Sequence, residues 1–198
     1  MLKVGLTGGI GSGKSTVAQI IEAMGYPVFY SDKEAKNILN TNLEIRNKLI
    51  AHFGTEIYTN SGIDTKRFSE IVFFEPKNLE IVNDIVHPEV RKYFKNWTEK
   101  QKDALVFNEA AILFETGACN QFDKNILVVA PELVRIARVV ERDSVTEDNV
   151  LRRMDNQWKD EVKISMADYV IINDNKTPIL YQIERIIQDL LLIESEIS

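Results

Sequence analysis

The sequence predicts an α/β fold: a doubly wound, five-stranded parallel sheet with helices on both faces. Three observations predict it. Short apolar runs rich in β-branched and aromatic residues recur without strict alternation, as strands covered on both faces do. Helical patterns separate these runs, and alternating strands and helices imply a parallel sheet. The first run leads directly into Gly8-Gly9-Ile10-Gly11-Ser12-Gly13-Lys14-Ser15, a complete G-x-x-x-x-G-K-S phosphate loop, and then into an apolar-periodic helix.

Each element has its own signal. A first strand is expected near Lys3 to Leu6. The helix after the loop carries Val17, Ala18, Ile20, Ile21 and Met24 at helical spacing, and Gly25 stands where a C-cap glycine belongs. A second strand covers Pro27 to Tyr30. An insertion of residues 33–102 follows, too long for a simple crossover; it reads as several helices with a turn at Asn60-Ser61-Gly62 and breaks at Pro76 and Pro88. Strands three, four and five run from Ala104 to Ala110, Asn125 to Val129 and Tyr169 to Ile172. Pro131 to Arg142 is a helix, and Thr177-Pro178 opens a closing helix whose apolar face includes Ile179, Ile183, Ile186, Ile187, Leu190 and Leu191. A polar helical stretch, Thr146 to Ala167, interrupts the path to strand five. The chain is thus expected to be one domain, with a core of about 1–32, 103–145 and 168–198, a helical acceptor-binding insertion of about 33–102, and a lid of about 146–167.

Composition narrows the function. The 198 residues carry a net charge of −6, which argues against a broad nucleic-acid footprint, so an acidic chain handling anions must concentrate its cations at the site. No apolar run is long enough for a membrane span, and the loop lies where a signal peptide would need its apolar core. The single cysteine, Cys119, permits no intrachain disulfide and fits a reducing cytoplasm. Two histidines, His52 and His87, support neither a histidine-rich metal site nor a Ser-His-Asp hydrolase.

The loop dictates chemistry by geometry. Its glycines let the backbone curl so that amides converge on phosphate oxygens, Lys14 reaches the β- and γ-phosphates, and the Ser15 hydroxyl can ligate Mg²⁺. Asp32, directly after strand two, can face the loop and take a proton from an attacking hydroxyl, or can cap the following helix. Asn108, Glu109 and Glu115 compete for the role of a Walker-B acid near Mg²⁺. Arg135, Arg138 and Arg142 share one helix face. Of these, Arg142 is the candidate to offset charge on a transferred phosphoryl group, with Arg152 and Arg153 following, whereas Arg135 reads as a solvated partner of Glu132. Asp64, Lys66 and Arg67 can meet an anionic acceptor or simply begin a helix.

Taken together, these segments resemble the dephospho-coenzyme A kinase family over nearly the whole chain. Leu6 to Val17 is close to the family's phosphate loop, and Tyr30-Ser31-Asp32 corresponds to its Asp-Ala-Asp segment with the first acid missing. Val86-His87-Pro88 looks like its His-Pro signature. Ile112-Leu113-Phe114-Glu115-Thr116-Gly117 matches its Leu-Leu-Phe-Glu motif, with Ala111 where proline is usual. Arg138 through Asp143 resembles its Arg-x-x-x-Arg-Asp lid element, and Gln157 fits the lid's glutamine. Ala167 to Asn173 matches the segment lining the adenine pocket.

The resemblance implies a P-loop, nucleotide-kinase-like fold with helical acceptor-binding and lid insertions. It also implies transfer of the γ-phosphate of MgATP to the ribose 3′-hydroxyl of dephospho-CoA in the cytoplasm. Gly9, Gly11, Ser12, Gly13, Lys14, Ser15, Thr16 and Asn173 would bind ATP, with Ser15 and Glu109 at Mg²⁺. Asp32 would be the base, assisted by Lys14 and Arg142, and Asp32, His87, Lys66 and Arg67 would meet the acceptor. Rival readings are a nucleoside or nucleoside monophosphate kinase and a P-loop nucleotide switch. A GTPase-like switch needs N-K-x-D and D-x-x-G motifs, and the sequence contains neither.

Overall fold

In the computed structural model, residues 1–197 are described, with backbone alone at 73 and 76. The chain forms two units, Met1–Tyr30 with the segment from Gln101 onward, and Ser31–Lys100. The first unit begins with β1 (Leu2–Gly8), α1 (Lys14–Ala23) and β2 (Val28–Tyr30). The second contains α2 (Ser31–Thr41), α3 (Leu43–Phe53), the short strands β3 (Tyr58–Thr59) and β4 (Gly62–Ile63), α4 (Thr65–Phe74) and α5 (Pro76–Thr98). The chain then returns to the first unit with β5 (Leu105–Glu109), β6 (Lys124–Val129), α6 (Glu132–Asp143), α7 (Glu147–Asp155), α8 (Asp160–Ile164), β7 (Tyr169–Ile172) and α9 (Ile179–Ile197).

Among the described residues, five strands form the expected parallel sheet in the order β2-β5-β1-β6-β7. Its two faces separate by the two-residue strand period. Val4 and Leu6 of β1, Leu105 and Phe107 of β5, and Ile126 and Val128 of β6 pack with Val17, Ala18 and Ile21 of α1 and Ile183, Ile187 and Leu190 of α9. On the other side Leu127 meets Leu113, Phe114 and Cys119 from the segment after β5. Register places Leu6 beside Glu109, and Glu109 beside Tyr30, so β5 and β2 end level with Leu6, two residues before β1 ends in the phosphate loop. No helix among the described residues is long and apolar enough to cross a membrane.

Local chemistry explains the element ends. Gly25, at φ 93°, closes α1: its amide bonds Glu22 O at 2.9 Å while that of Tyr26 bonds Ile21 O at 3.2 Å, the paired bonds of a Schellman end. Three expectations need correction. Pro88 does not break the second unit; α5 runs through it. Val82, Val86, Val90 and Phe94 are buried at four-residue spacing, and that apolar face outweighs the roughly 3 kcal/mol cost of an interior proline. The Asn60-Ser61-Gly62 turn joins a two-stranded hairpin, where only helices were expected. Pro131 and Pro178 lie just outside α6 and α9 instead of in their first turns.

Charge ties α8 to the segment after β5. Lys163, 1% exposed, places Nζ 2.9 Å from Glu115 Oε1, while Glu115 Oε2 has no hydrogen-bond partner among the described residues. Removing one member of such a pair strands the other charge without water. Lys163→Met should therefore cost about 3–5 kcal/mol. Adding Glu115→Gln should recover most of the loss in urea unfolding of the single and double variants.

Candidate functional site

Backbone conformation comes first. Gly11 and Gly13 have φ of 78° and 91°, and a Cβ on either would lie 2.5 Å from Arg135 O or 2.2 Å from Asn173 Nδ2. Only glycine fits such positive-φ, closely approached positions. The loop's carbonyls are held from behind. Asn173 Nδ2 donates to Ser12 O at 2.8 Å, and Arg138 Nη1 donates to Gly11 O and Ser12 O, each at 3.3 Å. Arg138 Nη2 also donates to Asn173 O at 3.1 Å and to Asn175 Oδ1, locking the rear support together. Gly9, Gly11, Gly13, Lys14, Ser15 and Thr16 line a cavity of about 570 Å³ together with Arg138, Arg142, Arg153 and Gln157. A loop curled around the start of α1 presents that helix's free amides and positive dipole end to an anion.

One carboxylate organises the polar floor. Glu109, at the end of β5 and 3% exposed, accepts a hydrogen bond from Ser15 Oγ at 2.9 Å and forms an ion pair with Lys14 Nζ. Of the candidates Asn108, Glu109 and Glu115, Glu109 thus meets both Ser15 and Lys14. Asn108 is also buried in β5, while Glu115 is ion-paired with Lys163 and accepts a hydrogen bond from the Trp158 amide. Nearby, burial holds the Tyr30 hydroxyl above its ordinary pKa, helped by its hydrogen bond to Glu22 and by the charges of Glu22 and Glu109. Tyr30 thus stays a donor, to Glu22 Oε2 at 2.5 Å.

The α6 arginines diverge. Arg142, 62% exposed at its side chain, donates from Nε and Nη2 to the two carboxylate oxygens of Asp143 at 2.7 and 3.1 Å. Arg153 from α7 adds a bond to Asp143 Oδ2 at 2.7 Å. Hydrogen bonding to Arg142, and then to Arg153, pulls the Asp143 carboxyl down to about 2 from 3.8. The same bond raises the Arg142 guanidinium above its ordinary value. Arg135 overturns its expected solvated reading. It is 7% exposed, donates from Nε to Ile10 O at 2.9 Å, and pairs through Nη1 with Asp160 Oδ2 at 3.0 Å. Helical spacing located the face correctly, but it did not reveal that the loop covers this part of it.

In the second unit, Asp32 lies within the first turn of α2, which begins at Ser31; an acid there favours the helix dipole. His87 is held below its ordinary pKa by burial and then by Arg91, opposed by the charges of Asp84 and Asp32. Its neutral imidazole is therefore favoured, and Asp32 is near enough to influence it. Asp64 caps α4 by accepting the Arg67 amide at 3.0 Å. Lys66 is exposed, and the Arg67 guanidinium lies 3.9 Å from Glu56 Oε1, with both side chains 53% exposed, a pair too solvated to fix either group firmly.

The supporting roles of Arg138 and Arg135 had no signal in spacing alone, because carbonyl acceptors are invisible in a sequence. Gln157, whose Oε1 accepts the Ile10 amide at 2.8 Å, was visible only through the lid motif. The Asp143 pairing supplies a test. Because its folded pKa is depressed, the stability it adds is present above about pH 4 and is lost as pH falls toward 2. The Tm advantage of the wild type over Asp143→Asn should therefore be constant above about pH 5 and shrink steadily below about pH 4.

Comparison with known proteins follows the same lines. The family model described as dephospho-CoA kinase matches residues 2–178. A dephospho-CoA kinase of Bacteroides fragilis (strain YCH46) is 36% identical over 187 residues, spanning 94% of this chain and 91% of the relative. The solved Thermus thermophilus protein TT1252 superimposes with a TM-score of 0.83 at 32% identity, covering 96% of both chains. The dephospho-CoA kinase of Campylobacter jejuni does so with 0.69 at 27%, covering 95% of this chain and 96% of its own. Similarity this continuous, in a chain whose first loop is shaped for phosphate, makes this protein a member of the dephospho-CoA kinase family.

Proposed function

We propose that the chain transfers the γ-phosphate of ATP to the ribose 3′-hydroxyl of dephospho-CoA, giving coenzyme A and ADP, with the residues below in the stated roles. Dephospho-CoA kinase activity, the final step of coenzyme A synthesis, is the activity of the family. The observation carrying the reading is the Lys14–Glu109–Ser15 cluster at the floor of a glycine-shaped loop.

Phosphoryl transfer asks for alignment and charge neutralisation. Amides of residues 11–16 cradle the triphosphate, Gly9 lets the loop pass close to its support, and Lys14 bridges the β- and γ-phosphates. Asn173 acts from behind, holding the loop's curve. The Ser15 hydroxyl and Glu109 carboxylate are hard oxygen donors, and no group of three or more acids, histidines or cysteines suited to a metal occurs among the described residues. That sparse set fits Mg²⁺, which keeps several waters and shares phosphate oxygens. The ion, when bound, neutralises phosphate charge.

Asp32 accepts the proton of the 3′-hydroxyl as its oxygen bonds to the γ-phosphorus and the bond to ADP's terminal oxygen breaks. Arg142 leaves Asp143 to stabilise the transferring group. In the unit of residues 31–100, His87 presents a neutral imidazole, and Lys66 and Arg67 offer exposed cations to the anionic acceptor. Residues 146–167 serve as the lid.

Asp32→Asn should lower kcat by about a hundredfold or more while leaving ATP affinity unchanged, read by coupled ADP release and by calorimetry. Near-wild-type turnover would remove Asp32 from the role of base. In an acceptor panel, ADP release should be strong with dephospho-CoA and negligible with nucleosides or nucleoside monophosphates; the reverse would reassign the substrate.

A further inference from the structure

The backbone of Ile10, at the apex of the phosphate loop, is held on both sides of its Cα. Its N–H donates to Gln157 Oε1 at 2.8 Å, and its carbonyl accepts from Arg135 Nε at 2.9 Å. Arg135 continues through Nη1 to Asp160 Oδ2 at 3.0 Å, and Asp160 opens α8 three residues beyond Gln157. The bonds therefore close a ring: loop apex, α6 arginine, α8 acid, Gln157, loop apex. The ring is tightly fitted. A Cβ on Gly9 would lie 2.3 Å from Arg135 Nη2, and one on Gly11 2.5 Å from Arg135 O. Its charged members are shielded, with Arg135 and Asp160 side chains 9% and 20% exposed.

We propose that Arg135 and Gln157 are positioning residues that fix the two peptide planes meeting at Ile10 and thereby couple the α7–α8 segment to the shape of the phosphate loop. The argument is geometric. The N–H belongs to the 9–10 peptide plane and the carbonyl to the 10–11 plane, so both planes that meet at Ile10 are restrained, each at one group, and the next residues along the chain are those whose amides meet phosphate. A loop free to rotate its apex would have to be ordered by the nucleotide itself, at the expense of affinity. Asp160 extends the same restraint to the segment that carries Arg153 into the cavity wall. Neither residue touches the reacting atoms.

The inference rests on the reading of the loop as the ATP site, and the test separates the two. Binding of MgATP is measured by calorimetry without acceptor, alongside hydrogen exchange of the peptide containing Ile10. Wild type, Gln157→Ala, Arg135→Lys and the double variant are compared. Each single change should weaken ATP about five- to tenfold, the scale of one lost hydrogen bond to a fixed partner. Each should also speed exchange at Ile10, and both should leave KM for the acceptor unchanged. Because both act on adjacent peptide planes of one residue, the double variant should lose less than the product of the single effects. Asp160→Asn, which keeps an acceptor for Arg135, should retain more ATP affinity than Asp160→Ala.

If the wild type does not bind ATP, the functional reading fails. If it binds and folded Gln157→Ala matches it in affinity and in Ile10 exchange, the positioning proposal fails. Gln157 is only half-buried, so that variant carries the test even if Arg135→Lys does not fold.

Discussion

Glu109 is the constraint around which the first unit is arranged. A carboxylate this deeply buried is stable only when opposite charge and donors reach it, and Lys14 and Ser15 do so from the first turn of α1. Those contacts join the end of β5 to the loop that follows β1, its neighbour in the sheet. The nearly level strand ends make the reach short enough. Parallel order thus has a chemical consequence: it sets an acid from one strand beneath a lysine and a hydroxyl from the turn after another. In open α/β sheets that carboxyl edge is where ligands bind.

The loop's curvature is maintained by a second system with a different logic. Its carbonyls are taken up by protein donors, with Arg138 and Asn173 behind Gly11 and Ser12 and Arg135 behind Ile10. Guanidinium groups suit this task because one rigid fork can serve several carbonyls at once. Arg138 does so while also bonding Asn173, whose own amide supports the loop. A lysine would supply the charge without the planar geometry. The support thus leaves α1's amino-terminal dipole uncompensated by carboxylate side chains of its own first turn, as an anion site requires.

Much of this was legible in the residues. The five strands lie within two residues of their expected bounds because each is an apolar run flanked by breakers, and the loop's motif is complete in Gly8, Gly13, Lys14 and Ser15. Spacing did not choose among Asn108, Glu109 and Glu115, since that choice depends on which strand end lies beneath Ser15. It also misjudged Arg135. A helix-face pattern distinguishes one face from another, but a loop folded back over a charged face converts solvated arginine into buried scaffold. Pro88 shows the opposite error: a strong local signal was overridden by four buried side chains along α5. Long-range coverage, absent from any local window, accounts for both.

A chain of net charge −6 that handles triphosphate must keep its cations from being neutralised permanently by its own acids. Exposure separates the cations that can be released from those that cannot. The Arg142 and Arg153 side chains, 62% and 46% exposed, share one acid, and pairs this solvated are held by about 1 kcal/mol or less, so a multiply charged phosphate can draw both away. Arg135 is shielded, and breaking its pair with Asp160 would strand charge away from water. It therefore stays, as scaffold. Lys14 stands between these cases: it lines the cavity while resting on Glu109, and can face phosphate without abandoning its buried partner. The same residue type thus does opposite work on one helix, and water access decides which.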